Sequence, residues 1–192
     1  FFSYLLAGNV ILLKHSEVTP TTGDLLQSYF AQAGLGDFFV HRLFPHEMTE
    51  KIIADPRVGG VSITGSVKAG QIISSLCGQY LKKCLLELGG SDPSIILPDA
   101  DFKKACQTIA RSRLQNAGQV CISAKRAFVP RVQIEQTIEL FKSAFTGIID
   151  AQPSLVGPLA ETRFKTDYNN IVTELKKHSQ VVFEKDMNAL NI

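Results

Sequence analysis

Short apolar runs alternate along this chain with stretches whose apolar residues recur every three or four positions. The opening FFSYLLAGNVILLK reads as a helix end, a Gly-Asn turn and a buried strand over VILLK, residues 10–14. Residues 21–33 place Leu25, Leu26, Tyr29 and Phe30 at helical spacing, with Gly34 as the C-cap. FFVHRLF (38–44) predicts a strand, HEMTEKIIAD (46–55) a short helix and GGVSITG (59–65) a strand ending in a turn. The next predicted helix covers 66–80 with Ser66 at its N-cap, followed by a buried strand, KKCLLEL, over 82–88. SIIL (94–97) predicts a strand, a helix begins near Phe102, and KRAFV (125–129) predicts another strand. Helices are then expected over 133–145 and from Arg163 to His178, and VVF (181–183) is expected as the last strand.

Strand, helix, strand, repeated with short loops, predicts an α/β fold of parallel sheets with flanking helices. The best candidate boundary is Gly89-Gly90, where GGSDP separates two strands. With 192 residues the chain can form one sizeable domain or two small ones. A formal net charge of +2, with no basic run longer than two residues, argues against nucleic-acid partners. The apolar opening is interrupted at Ser3, Gly8 and Asn9, too early for a membrane span. Four scattered cysteines without a C-x-x-C pair argue against zinc, and their sparsity fits a reducing cytosol. The four histidines are too dispersed for a metal cluster and are expected on the surface or in loops.

Chemistry is best sought at the downstream ends of the strands, where open parallel sheets bind ligands. Ile63-Thr64-Gly65-Ser66 ends a strand and starts a helix, which suits either a simple cap or a phosphate. Lys14 and Glu17 form either a solvated pair or a donor and acceptor for a ribose diol. Glu87 ends an apolar strand: either it pairs with Lys82, Lys83 or a distant arginine, or it is a general base in apolar surroundings. Cys121, in NAGQVCISAKR (116–126), is either a small buried hydrophobe or a nucleophile.

Taken in order, AGNVILLKHSE, SITGSVKAG, LELGGSDPSIILPDAD, QNAGQVCISAKR and VGPLAE resemble the aldehyde dehydrogenase superfamily, with details closest to its succinate-semialdehyde dehydrogenase-like branch. The resemblance runs to about residue 178. It implies a partial Rossmann-like cofactor domain over 1–89 and a partial catalytic domain over 90–192. It also implies that Cys121 attacks an aldehyde and that Glu87 activates the water that hydrolyses the resulting thioester. Lys14 and Glu17 would contact the adenine ribose and Ser66 the pyrophosphate. Gly65 would let the helix start approach the cofactor, and Leu88-Gly89 would lie near the nicotinamide. The implied cofactor is NAD or NADP, with Glu17 mildly favouring NAD because it repels a 2′-phosphate. The implied partner is a small aldehyde, possibly succinate semialdehyde, with no metal, in a cytoplasmic enzyme that assembles as a homo-oligomer. The chain resembles an internal portion of such an enzyme, expected to turn over little by itself. The family's upstream Trp-Asn segment and downstream Glu-x-Phe-Gly-Pro motif have no counterpart in it. The branch's substrate-binding arginine, six residues before the nucleophile, is replaced by Gln115. Two alternatives accompany this reading: an inactive α/β fragment or binding module, and a coenzyme-A-acylating relative. Glu87 argues against the second.

Overall fold

A computed structural model describes residues 1–185 of the chain. They divide into two compact units, Phe1–Glu87 and a second beginning at Leu88. Both are α/β, with parallel strands and flanking helices.

The first unit runs α1 (Phe2–Leu6), β1 (Ile11–Leu13), α2 (Pro20–Gln32), β2 (Phe39–His41), α3 (Met48–Ala54), β3 (Gly60–Gly65) and α4 (Val67–Gln79). It ends in β4 (Lys83–Leu88), whose last residue opens the second unit. β1 and β2 pair in parallel, Ile11 with Phe39 and Leu13 with His41, while β3 pairs with β4. The core gathers on β2, where the Phe39 ring stacks on Phe30 at 4.2 Å and meets Phe1 edge-on at 5.3 Å. Gly34, expected as the cap of α2, follows Ala33 with φ +76° and donates its N–H to Ala31.

The inner face of α2 differs from its apolar pattern. Leu25 and Tyr29 face solvent, whereas Gly23 and Phe30 are buried. The cause is His41, which is buried in β2 rather than lying on the surface as expected. Its Nδ1 lies 3.0 Å from Asp24 Oδ1, and its backbone N–H donates to Gln27 Oε1 at 2.6 Å. The ring lies so close to Gly23 that a Cβ there would stand 2.4 Å from Nε2. Gly23→Ala gains helix propensity of about 1 kcal/mol, but it must displace a buried ring already tied to Asp24. Overpacking of this kind costs about 1–3 kcal/mol or more, and losing the Asp24 bond adds to it. The clash wins: urea denaturation is expected to show a net loss of about 2 kcal/mol, and a variant more stable than the parent would contradict this packing.

β4 also departs from expectation. Read as a buried strand, it is exposed along most of its length, with Leu85 and Leu86 open to solvent. Burial on both faces requires layers on both sides of the sheet; α4 packs against β3, and no helix among the described residues packs comparably on β4. Cys77 of α4 and Cys84 of β4 flank the turn between these elements. Burial, with the neighbouring Cys84 thiol, pushes the Cys77 thiol up to about 11.

The second unit contains β5 (Pro93–Ile95), α5 (Phe102–Leu114), β6 (Arg126–Phe128), α6 (Ile134–Ala151), α7 (Pro153–Val156) and α8 (Thr162–Lys176). β5 and β6 pair in parallel, Pro93 with Arg126 and Ile95 with Phe128. Ile96, Phe102 and Cys106 form the core, covered by Leu140 and Phe141 of α6. Asp101 caps α5, its carboxylate accepting the Lys104 N–H at 3.0 Å. α6 continues six residues past its expected end, burying Ile149. Residues 181–183, expected as a strand, form none: Phe183 instead stacks on Phe145 at 6.3 Å, and Lys176 bonds both oxygens of Glu184. No helix among the described residues is long and apolar enough to cross a membrane, and no cluster there could hold a metal.

Candidate functional site

In the first unit the candidate cofactor residues follow strand ends. Lys14 comes directly after β1, and its ammonium donates to Glu17 Oε1 at 3.2 Å. His46 Nε2 lies 3.9 Å from the same carboxylate oxygen. Gly65 closes β3, and Ser66 caps α4 by accepting the Ala69 N–H on its Oγ at 3.2 Å. With Ala69 satisfied and Gly70 bonded to the Ser66 carbonyl, the N–H groups of Val67 and Lys68 have no acceptor among the described residues. They form an open helix start of the kind that holds phosphate. A Cβ at Gly65 would make only ordinary contacts with Ile63 and Ala69, so the fold itself does not demand glycine there.

Glu87, at the end of β4, is exposed and has no ion pair among the described residues. The two readings offered for it both assumed a different setting. Lys82, one expected partner, instead donates to the carbonyls of Asp55 at 2.9 Å and Val58 at 2.6 Å. The apolar burial that would have surrounded the carboxylate is absent with the rest of β4's cover. Leu88 is half-buried and Gly89 is open.

In the second unit Cys121 lies in an exposed turn after α5. It differs in this from Cys77 and Cys106, both buried, the latter with its thiol pushed upward by burial. Three consecutive left-handed residues lead into the turn: Asn116 (φ 54°), Ala117 (φ 54°) and Gly118 (φ 72°). For alanine this backbone costs about 1–2 kcal/mol, so neighbouring bonds must hold it. Glycine suits position 118 through its positive φ, and a Cβ there would also crowd the Arg113 carbonyl oxygen at 3.0 Å.

Gln119 supplies the upstream hold. Its amide donates to Asn116 O at 3.0 Å and Pro158 O at 3.1 Å, and its Oε1 accepts the Ala160 N–H at 2.9 Å. The QNAGQVC and VGPLAE segments are thereby joined. Ser112 and Ser123 tie the turn to α5: Ser123 Oγ donates to the Ser112 carbonyl at 3.1 Å, and the Ala124 N–H donates to Ser112 Oγ at 3.2 Å. On the far side Lys125 donates to the Cys121 carbonyl at 2.9 Å. The GGSDP segment meets the same turn. Asp92 O accepts the N–H groups of Lys125 and Arg126 at 3.3 Å each, Arg126 Nε donates to Ser91 O at 2.9 Å, and a Cβ on Gly90 would touch the Cys121 carbonyl oxygen at 3.7 Å.

Sequence reasoning did not reach Gln119 and Lys125. Their adjacency to Cys121 was visible, but their acceptors come from backbone that only the folded turn gathers. Arg113 and Arg126, both close to Cys121 in sequence, are engaged as well, Arg113 with Ser123 Oγ at 3.4 Å and Arg126 with Ser91. The grooves beside α5, lined by Lys103, Gln107 and Arg111 or by Ser94 and Ile96, do not include Cys121.

The chain is similar to several known proteins. A succinate-semialdehyde dehydrogenase [NADP(+)] of Deinococcus radiodurans is 38% identical over 168 residues, covering 85% of this chain and 35% of the relative. The crystal structure of succinic semialdehyde dehydrogenase from Streptococcus pyogenes, in complex with NADP+, superposes with a TM-score of 0.69 at 37% identity, over 73% of this chain and 31% of that one. A lactaldehyde dehydrogenase structure reaches a TM-score of 0.82 at 30% identity, over 93% of this chain and 39% of that one. The chain thus spans about a third of the length of these relatives. The model of the aldehyde dehydrogenase family matches residues 2–189, past the point near residue 178 where the resemblance was expected to stop. With the motifs in order and the fold shared, the chain belongs to the aldehyde dehydrogenase family.

Proposed function

We propose that these residues serve an oxidoreductase that converts an aldehyde to its carboxylic acid through a thioester on Cys121. The observation that carries this reading is the setting of Cys121: an exposed thiol on a turn pinned from both sides, in a family of aldehyde-oxidising enzymes. The Cys121 thiol adds across the aldehyde carbonyl, sulfur to carbon and proton to oxygen; loss of that hydroxyl proton to solvent, and of hydride to the nicotinamide that a bound cofactor would supply, gives the thioester. Glu87 takes a proton from the water that then attacks the thioester carbonyl, releasing the acid and restoring the thiol. This role for Glu87 weighs against transfer to coenzyme A, which needs no hydrolytic base.

The donor set in the first unit fits a nicotinamide dinucleotide. The open N–H groups of Val67 and Lys68, behind the Ser66 cap, suit the diphosphate, and Lys14 with Glu17 suits the adenosine ribose. When bound, the cofactor supplies the hydride acceptor. We infer NADP in preference to NAD. Several similar relatives are named for NADP(+), and Glu17, whose charge was the argument for NAD, is already engaged by Lys14. A semialdehyde is the substrate that the same relatives suggest.

Competitive alkylation of the native chain with iodoacetamide, mapped by mass, tests the reading. Cys121 is expected to react several-fold faster than Cys84, the other exposed thiol, and NADP is expected to change the rate at Cys121 alone. Equal rates at both cysteines, indifferent to nucleotide, would remove the basis for assigning Cys121 as the nucleophile.

A further inference from the structure

Lys125 stands four residues after Cys121, directly before β6. An ammonium has three donors and no acceptor. All three of its reachable acceptors are main-chain carbonyls of the cysteine turn: Cys121 at 2.9 Å, Ser123 at 3.0 Å and Val120 at 3.4 Å. Among the described residues no other donor reaches the Cys121 carbonyl. Lys125 is itself anchored, since its backbone N–H donates to Asp92 O at 3.3 Å. The side chain therefore bridges the carbonyls of the cysteine, of the residue before it and of the residue two beyond, from a base fixed beside β5.

We propose that Lys125 is a positioning residue for the Cys121 thiol, setting the backbone from which the sulfur attacks. The proposal rests on the reading of Cys121 as nucleophile. Two other uses of a lysine beside a nucleophile are a contact to a substrate carboxylate and a proton transfer. Each needs a free N–H, and each would take one from the turn, because the three donors already match three carbonyls. Upstream, Gln119 performs a complementary task by tying the left-handed stretch to residues 158 and 160. The cysteine thus hangs between two side-chain anchors, one neutral and one cationic. Charge-assisted bonds to carbonyls are the stronger kind, so the cationic anchor contributes more to the alignment. Misplacement of a reacting group by ~1 Å can cost on the order of 10²-fold in rate, which sets the scale of the effect.

Steady-state kinetics of the complete protein, with a semialdehyde and NADP, compare the parent with Lys125→Met and Lys125→Arg. Methionine keeps the length and apolar stem but donates nothing, so kcat is expected to fall about 10- to 100-fold with KM within about twofold. Arginine, which can still donate to several carbonyls, is expected to restore kcat to within about fivefold of the parent. Should Lys125→Met not fold, Lys125→Gln carries the same expectation. An unchanged kcat overturns the proposal, as does a rise in KM alone, which would make the ammonium a substrate contact. An arginine variant as slow as the methionine variant overturns it too. Cys121→Ala, assayed beside the Lys125 variants, separates the two levels: activity lost in Cys121→Ala but kept in Lys125→Met refutes the positioning role alone. Activity kept in Cys121→Ala refutes the nucleophile reading and the positioning role together.

Discussion

Cys121→Ala in the complete protein is expected to abolish aldehyde oxidation, by about 10⁴-fold or more, because no covalent route remains once the attacking sulfur is gone. Cofactor binding is expected to persist, since Lys14, Glu17 and the open start of α4 belong to the first unit and do not depend on the sulfur. Nucleotide titration and turnover, measured on the same preparation, separate the two. The fold has little stake in this side chain: Cys121 is exposed, and the bonds that hold its turn come from Gln119, Lys125 and Ser123. A substitution at such a position changes stability by about 0.5 kcal/mol or less. Activity surviving in Cys121→Ala would transfer the chemistry elsewhere, with Cys84 the first alternative because it is the other exposed cysteine.

The order of elements was legible because each carries its own local signal. Ser66 before an amphipathic run and Gly34 after Ala33 mark helix ends by the side chain and backbone freedom that such ends need. Periodicity told strand from helix, but it could not tell which face would be covered. KCLLEL reads as buried because an apolar run usually has layers on both sides, and among the described residues no helix packs on β4 as α4 packs on β3. Leu25 and Tyr29 share the helical spacing of Phe30, yet His41 and Phe39 settle against the Gly23–Phe30 side of α2. His41 itself resembles any polar residue in a strand until Gly23 is seen to leave room for its ring. VVF has strand composition, but Phe183 finds an aromatic partner in Phe145 and, among the described residues, no strand to pair with.

The candidate site divides along the same line. Lys14 with Glu17, Gly65 with Ser66, and Cys121 are each local: a strand end or a turn, with the chemistry in one or two side chains. What the chain could not announce is how the turn around Cys121 is held. Asn116 and Ala117 adopt left-handed backbone that neither residue type prefers strongly enough to predict. The bonds that sustain it join residues 119 to 158 and 160, and 112 to 123 and 124. Such pairings are tertiary facts. The same holds for Glu87: the ion pair and the apolar cover expected around it are not supplied by β4, and its role as a base rests on the family resemblance.

Glu87→Gln is expected to stall the reaction after the thioester forms. Glutamine has the shape of glutamate but cannot accept the proton of an attacking water. Hydrolysis should slow by about 10²- to 10⁴-fold, the usual contribution of a general base, while attack on the aldehyde does not require the carboxylate. Rapid mixing should therefore show one equivalent of reduced nicotinamide per site formed at nearly the parent rate, followed by almost no turnover. Mass spectrometry should find the acyl group on Cys121. Stability offers no competing explanation, because Glu87 is exposed and has no ion pair among the described residues whose loss could unfold β4. A small thiol added to the stalled enzyme should restore turnover by thioester exchange, since its thiolate fraction is nucleophilic enough to attack without a protein base. The result that counts against this role is an equal loss of burst and steady rate. It would place Glu87 before the thioester, acting on Cys121 or on the aldehyde, and a thiol would then restore nothing.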